Sequence, residues 1–129
     1  MGNSRFKFRA WEKNTKKMYD RVLAGNGDPC SIVWDCDRKD WLHFDECSGY
    51  IMQYTGLKDI YNKEIYEGDI LNVDKNYSGS YTPTYVLFYK GTFMVQVVHK
   101  MNAPFPLADN VGIYEIIGNI YENAELLEY

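Results

Sequence analysis

Positive charge is in deficit in this sequence. Fourteen lysines and arginines face 18 aspartates and glutamates, for a net charge of −4. That balance excludes a global basic field of the kind that draws a protein to phosphate backbones. Long apolar runs are missing too. None approaches the ~18 residues of a membrane-spanning helix, and the opening "MGNSRFKFRAW" lacks the apolar core of a secretory signal. Cysteine is scarce, and three is an odd number. With no export signal, free thiols in a reducing compartment are expected, and the cytoplasm of the cell with them. Histidine is scarcer still: His43 and His99 are the two imidazoles on which a nucleophile relay could draw, and neither lies in a recognisable motif. Cys47–Ser48–Gly49 is not a nucleophile elbow. No phosphate-binding loop, dinucleotide fingerprint or zinc-protease motif occurs. The chemistry expected of this chain is therefore binding, not catalysis, with no cofactor.

What is abundant is aromatic. Twelve tyrosines, six phenylalanines and three tryptophans bring the aromatic share to 16%. Such residues suit half-buried strands, where a ring packs and a polar tip reaches water. "RFKFRAWEKNTKKMYDRVLA" reads as a hairpin. Phe6, Phe8 and Ala10 alternate with Lys7, Arg9 and Trp11, "EKNTKK" supplies the turn, and Asn14 is best suited to a positive φ. "MYDRVL" then returns as the second strand. Residues 25–49 change character. "GNGDP" breaks regular structure, and "SIVWDCDRKDWLHFDEC" mixes apolar groups with acids. It reads either as two short strands or as an irregular insert with one helical turn.

The most patterned stretch is "IMQYTGLKDIYNKEIYEGDIL", residues 51–71. Its carboxylates invite a catalytic reading, since Glu64 and Glu67 could trade protons. They flank a turn, however, where charge is expected in any case. The better reading is structural: Gly56 and Gly68 permit bends, Asp59, Asn62 and Asp69 hold turns, and Ile65, Ile70 and Leu71 face a core. Further on, "YVLFYKGTFMVQVV" is a hairpin about Lys90–Gly91, "HKMNAPFPLADNVG" an irregular loop, and "IYEIIGNIYEN" a strand kinked at Gly118. Asn123 is placed to cap a final helical turn. With turn signals at this spacing and no long amphipathic helix, the fold expected is all-β or β-dominated, with little helix. One domain over 1–129 is expected: an N-terminal hairpin (1–24), an irregular insert (25–49) and a portion resembling an SH3-like small barrel (50–129).

"FRAWEKNTKKMY", "IMQYTGLKD" with "KEIYEGDIL", and "YEIIGNIYENAELL" together resemble the YopX-like proteins encoded by phages and prophages of Gram-positive bacteria. The three blocks span nearly the whole chain, in the family's order. The resemblance implies a β-rich fold, a bacterial host cytoplasm and homo-oligomeric assembly. It implies no activity. Where the family carries Asn-Gly after "TGLKD", this chain has Tyr61–Asn62; asparagine tolerates the left-handed region well enough for the turn to survive.

Two constellations compete with the structural reading. Cys30, Cys36, His43 and Cys47 are four potential zinc ligands within eighteen residues. Their spacing lacks the tight Cys-x2-Cys knuckle of structural sites, and free cysteines with a surface histidine explain them as well. The acids from Asp35 to Glu46 lack the calcium-loop pattern and read as a solvated face, or as an imitation of DNA charge beside Trp34 and Trp41. Arg5, Lys7 and Arg9, with Lys13, Lys16 and Lys17 nearby, are the candidate basic surface if the chain binds nucleic acid. Taken together, the sequence describes a non-enzymatic phage or prophage accessory protein whose partners are itself and a host or phage protein. Nucleic acid is the alternative.

Overall fold

A computed structural model describes residues 6–24, 31–45, 48–73, 83–97 and 103–127; at 73 and 109–111 it describes the backbone alone. The chain is strand-dominated, as its pattern predicts. It forms two compact units, Met1–Tyr54 and Thr55–Tyr129.

In the first unit, β1 (Phe8–Glu12) and β2 (Lys17–Tyr19) make the expected hairpin, with Ala10 opposite Tyr19 and Glu12 opposite Lys17. The turn is held by the Glu12 carboxylate, which accepts the Asn14 N–H at 3.0 Å, the Thr15 N–H at 2.7 Å and the Thr15 hydroxyl at 2.6 Å. Those bonds place the positive φ on Lys16, at 56°, and not on Asn14. A single buried face is also not what β1 shows, since Ala10 and Trp11 are both buried. β1 is an interior strand, paired on its other side with the start of β6 (Gly49–Lys58). Gly49 lies opposite Glu12, where a Cβ would run into the Trp11 carbonyl and the Phe44 ring. The "MYDRVL" strand breaks at Asp20–Arg21. Its second part, β3 (Val22–Ala24), joins β4 (Ser31–Asp35) and β5 (Asp40–His43) in a separate antiparallel sheet of order β3-β4-β5. Residues 31–43 are therefore two strands, not a helical turn. Ala10, Val33 and Phe44 form the core of this unit, with Tyr19, Val22, Leu42 and Ile51 packed on them.

The second unit holds the end of β6, then β7 (Glu64–Tyr66), β8 (Asp69–Val73), β9 (Thr84–Tyr89), β10 (Thr92–Val97), β11 (Phe105–Pro106) and β12 (Tyr114–Asn119). Five of these strands form a curled half-barrel sheet of order β11-β10-β9-β8-β12, the last strand returning to the free side of β8. Lys90 and Gly91, at φ 52° and 84°, are the two-residue type I′ turn between β9 and β10. The β12 strand carries its irregularity between Ile116 and Gly118, as the kink at Gly118 suggested. The core is Ile65, Leu71, Val86, Val95, Leu107 and Tyr114. Fully burying each large side chain contributes about 1.5–3 kcal/mol. Leu107 opens a 3-10 segment (Leu107–Ile113) where the sequence reads as irregular loop.

The patterned 51–71 stretch is built as punctuation. Gly56 and Gly68 have φ of 86° and 84°, and Asn62 takes the left-handed region at 66°. Asp69 accepts the Tyr66 N–H at 2.8 Å. Asp59 accepts the Tyr61 and Lys63 N–H groups on Oδ1, at 2.8 and 2.9 Å, and the Ile116 N–H on Oδ2 at 3.1 Å. Asn123 occupies the N-cap position of the last 3-10 turn (Ala124–Leu127), but its side chain does not cap it. Its side chain turns back to accept the Asn119 N–H at 3.1 Å, and its backbone carbonyl receives the Leu126 N–H.

Candidate interaction face

The β4 strand alternates strictly: Ser31, Val33 and Asp35 are buried, while Ile32 and Trp34 point to the other face. Across the hairpin Trp34 stands opposite Trp41. Their rings meet edge to face, 5.4 Å between centroids and 67° between planes. The arrangement is written in "WDCDRKDW", where a Trp-Asp pair and its mirror image enclose a four-residue turn. Sequence reasoning noticed the tryptophans and missed the symmetry that stacks them.

Arg21 completes the cluster. Its guanidinium carbon lies 5.2 Å from the Trp34 ring and 5.7 Å from the Trp41 ring, distances at which a cation is attracted to an aromatic face. The Arg21 carbonyl accepts the Trp34 N–H at 3.0 Å, which fixes the base of that side chain beside β4. Leu23, 59% exposed, pairs with Ile32 on the same sheet, and Trp41 is 36% exposed. This face therefore presents two indoles, a cation and an aliphatic side chain to solvent. Its β5 edge is blunted: the Trp41 N–H donates to the Asp40 carboxylate at 2.8 Å, so the edge offers one donor fewer to an added strand.

Of the acids in this region Asp37, Asp40 and Asp45 are exposed, as a solvated face requires, and Asp35 is not. Asp35 is 5% exposed. It accepts from the Lys17 amine at 3.1 Å, the Asp37 N–H at 2.9 Å and the Arg38 N–H at 3.4 Å. The Lys17 ammonium holds the Asp35 carboxyl below the usual carboxylate range, backbone donors adding to it. Reciprocally, Asp35 and then Asp37, at 3.2 Å, raise Lys17 above the ordinary lysine value. This bond network ties the β1–β2 turn to the β4–β5 turn.

The other candidates are placed as follows. Lys7 lies 5.5 Å from the Tyr54 ring. Arg9 is half-buried on β1 opposite Met52. Arg5 lies outside the described residues, as do Cys30, Cys47 and His99. Cys36 is a free, exposed thiol in the β4–β5 turn, and His43 is exposed at the far end of β5, opposite Ile32. The turn and that end of the strand are separated by roughly 10 Å at the strand rise. Among the described residues no cluster of three or more metal-ligating side chains forms. Glu64 lies on β7 and Glu67 in the turn to β8. No helix among the described residues is long and apolar enough to cross a membrane.

A family model described as YopX protein matches residues 7–128, and the chain belongs to the YopX family. It is similar to a solved structure, the crystal structure of protein EF1440 from Enterococcus faecalis, at 32% identity and a TM-score of 0.65, over 95% of this chain and 97% of that one. Among curated proteins no sequence matches.

Proposed function

We propose that this YopX-family chain is a non-enzymatic accessory protein of a phage or prophage, acting in the cytoplasm of its bacterial host as a binding or self-assembling module. The observation that carries the reading is the outer face of the β3–β4–β5 sheet, where Arg21, Trp34, Trp41 and the exposed Leu23 meet. Tryptophan and arginine dominate the energetics of protein contacts, and Leu23 adds apolar area that burial against a partner would remove from water. Native mass spectrometry of the tag-free protein, over a hundredfold range of concentration, tests the self-assembling form. A discrete multimer is the result expected of self-assembly. A monomer at every concentration overturns self-assembly and leaves the module to bind other molecules.

Nucleic acid is the second reading, and it is favoured by a specific observation. Among the described residues the amines of Lys13, Lys16 and Lys39, all at the two tied turns, enter no ion pair, whereas Lys7 lies against the Tyr54 ring.

A further inference from the structure

We infer that the outer face of the β3–β4–β5 sheet, together with the two turns beside it, binds single-stranded nucleic acid. Phosphates meet Lys13, Lys16, Arg38 and Lys39, and bases meet Trp34, Trp41 and Arg21. This rests on the reading of the chain as a binding module and names its partner.

The first argument is a charge inventory at the tied turns. Residues 13–16 and 36–39 are all exposed. Lys17 bridges the turns through Asp35 and Asp37, so Lys16 and Arg38, each one residue from a member of that bridge, share one end of the unit. The acids there are already engaged. Glu12 accepts three donors of its own turn. Asp35 and Asp37 share Lys17, and Asp40 accepts the Trp41 N–H. The cations are not so engaged: among the described residues the amines of Lys13, Lys16 and Lys39 enter no ion pair, and Arg38 reaches Asp35 with one nitrogen at 3.8 Å. Counted together, five cations (Lys13, Lys16, Lys17, Arg38 and Lys39) stand against four acids (Glu12, Asp35, Asp37 and Asp40) at the two turns, a balance of +1 where residues 35–46 alone read as acidic.

The second argument is the aromatic platform on the same hairpin. Trp34 and Trp41 each stand one residue removed from the turn that carries Arg38 and Lys39. Indole faces stack on any base, and an arginine plane beside them adds a cation–π contribution. Cations that track a backbone, interleaved with rings that take bases, describe a single-strand surface. Duplex DNA keeps its bases stacked inside, out of reach of a ring on a sheet face. The net charge of −4 supplies no long-range pull, so binding depends on these few local contacts and on salt.

Fluorescence anisotropy of the full chain with labelled oligo(dT) and oligo(rU) twentymers, and with a duplex of equal length, tests this from low to physiological salt. Single strands are expected to bind at low salt, with log affinity falling against log salt at a slope of about −3 for four phosphate contacts. Lys16→Gln with Lys39→Gln should reduce that slope by roughly half. Trp41→Ala should weaken binding about tenfold without moving the slope, and Trp41→Phe should restore most of the loss, since a phenyl ring still stacks. The restoration separates stacking from a folding defect. No anisotropy change at the lowest salt overturns the inference, as does binding that is indifferent to these variants or equally tight to duplex. A discrete multimer in the mass spectrum alongside absent oligonucleotide binding refutes the nucleic-acid partner and leaves the self-assembling module standing.

Discussion

Replacing Asp59 with alanine should destabilise the second unit by about 3–4 kcal/mol, and the geometry says how that sum divides. Asp59 is 7% exposed, and its carboxylate accepts three backbone N–H groups. Hydrogen bonds to a charged group contribute about 1.5–3 kcal/mol each, and an unsatisfied buried donor costs about 1–3 kcal/mol. The donors are not equivalent. Tyr61 and Lys63 are exposed, so water can replace the carboxylate there and each loss falls to about 0.5–1 kcal/mol, that of an ordinary hydrogen bond exchanged with solvent. Ile116 is half-buried on β12, 57 residues away in sequence, and its N–H carries the larger share, about 2 kcal/mol. Asparagine separates the shares. It keeps an oxygen for the turn but sets an NH2 group against the Ile116 N–H, donor against donor, so Asp59→Asn should cost about 2 kcal/mol. Urea denaturation monitored by tyrosine fluorescence gives the free energies, and the melting temperature of Asp59→Ala should fall by on the order of 10 °C. Hydrogen exchange adds the local readout: the Ile116 amide should lose protection in both variants, while Ile60, whose N–H is bonded to the Tyr114 carbonyl at 3.0 Å, should keep more of its own in Asp59→Asn. If Asp59→Asn is as stable as the parent chain, the bond to Ile116 does not hold β12 and the reasoning fails.

The Lys17–Asp35 pair makes a pH prediction with two limbs. The lowered Asp35 stabilises above its unfolded value near ~3.9, and that contribution is lost as pH falls through the folded value. The raised Lys17 stabilises below ~10.4 and is lost as pH rises through its folded value. Lys17→Met should therefore flatten the melting-temperature profile on both the acid and alkaline sides; identical profiles for the two proteins would count against the tie between the turns. Gly49→Ala should cost on the order of 3 kcal/mol, because the new methyl meets the Trp11 backbone, which cannot yield as a side-chain tip can. A denaturation midpoint within experimental error of the parent would mean that β1 and β6 are looser than they look. Asn62→Val, a β-branched residue at φ 66°, should destabilise by about 1–2 kcal/mol while Asn62→Gly stays near neutral, and equal midpoints for both would remove the left-handed turn from the account.

What could be read from the sequence was what depends on near neighbours. Gly56, Asn62, Gly68 and the Lys90–Gly91 turn declare their φ through residue type, and all four sites take positive values. Ile65, Ile70 and Leu71 declare burial through composition, and all are fully buried. What escaped was set by partners distant in sequence. Asp59 is recognisable as a turn residue, but nothing in residues 51–71 announces that its second oxygen belongs to Ile116. Asn14 is intrinsically better suited to a left-handed turn than lysine, yet three donors gathered by Glu12 override that propensity and move the positive φ to Lys16. Trp11 looks solvent-facing by alternation and is 7% exposed, so both faces of β1 are covered there.

The functional reading turns on the same distinction. As a string, residues 35–46 carry five acids, Asp35, Asp37, Asp40, Asp45 and Glu46, against two cations, Arg38 and Lys39. Folding recruits Lys17 from another strand to two of those acids and turns a third onto its own neighbour's N–H. The sign of this surface depends on which charges folding gathers: Lys13, Lys16 and Lys17 from the β1–β2 hairpin join Arg38 and Lys39 against Glu12, Asp35, Asp37 and Asp40, five to four. Where Arg21 lies over the Trp34 and Trp41 rings, beside turns that carry Lys13, Lys16, Arg38 and Lys39, the proposed contact with a single strand is stacking plus a few phosphate contacts. An acidic chain can carry such a surface because phosphate contacts act within about a Debye length, ~10 Å at 0.1 M salt, and the charges outside that range have little say.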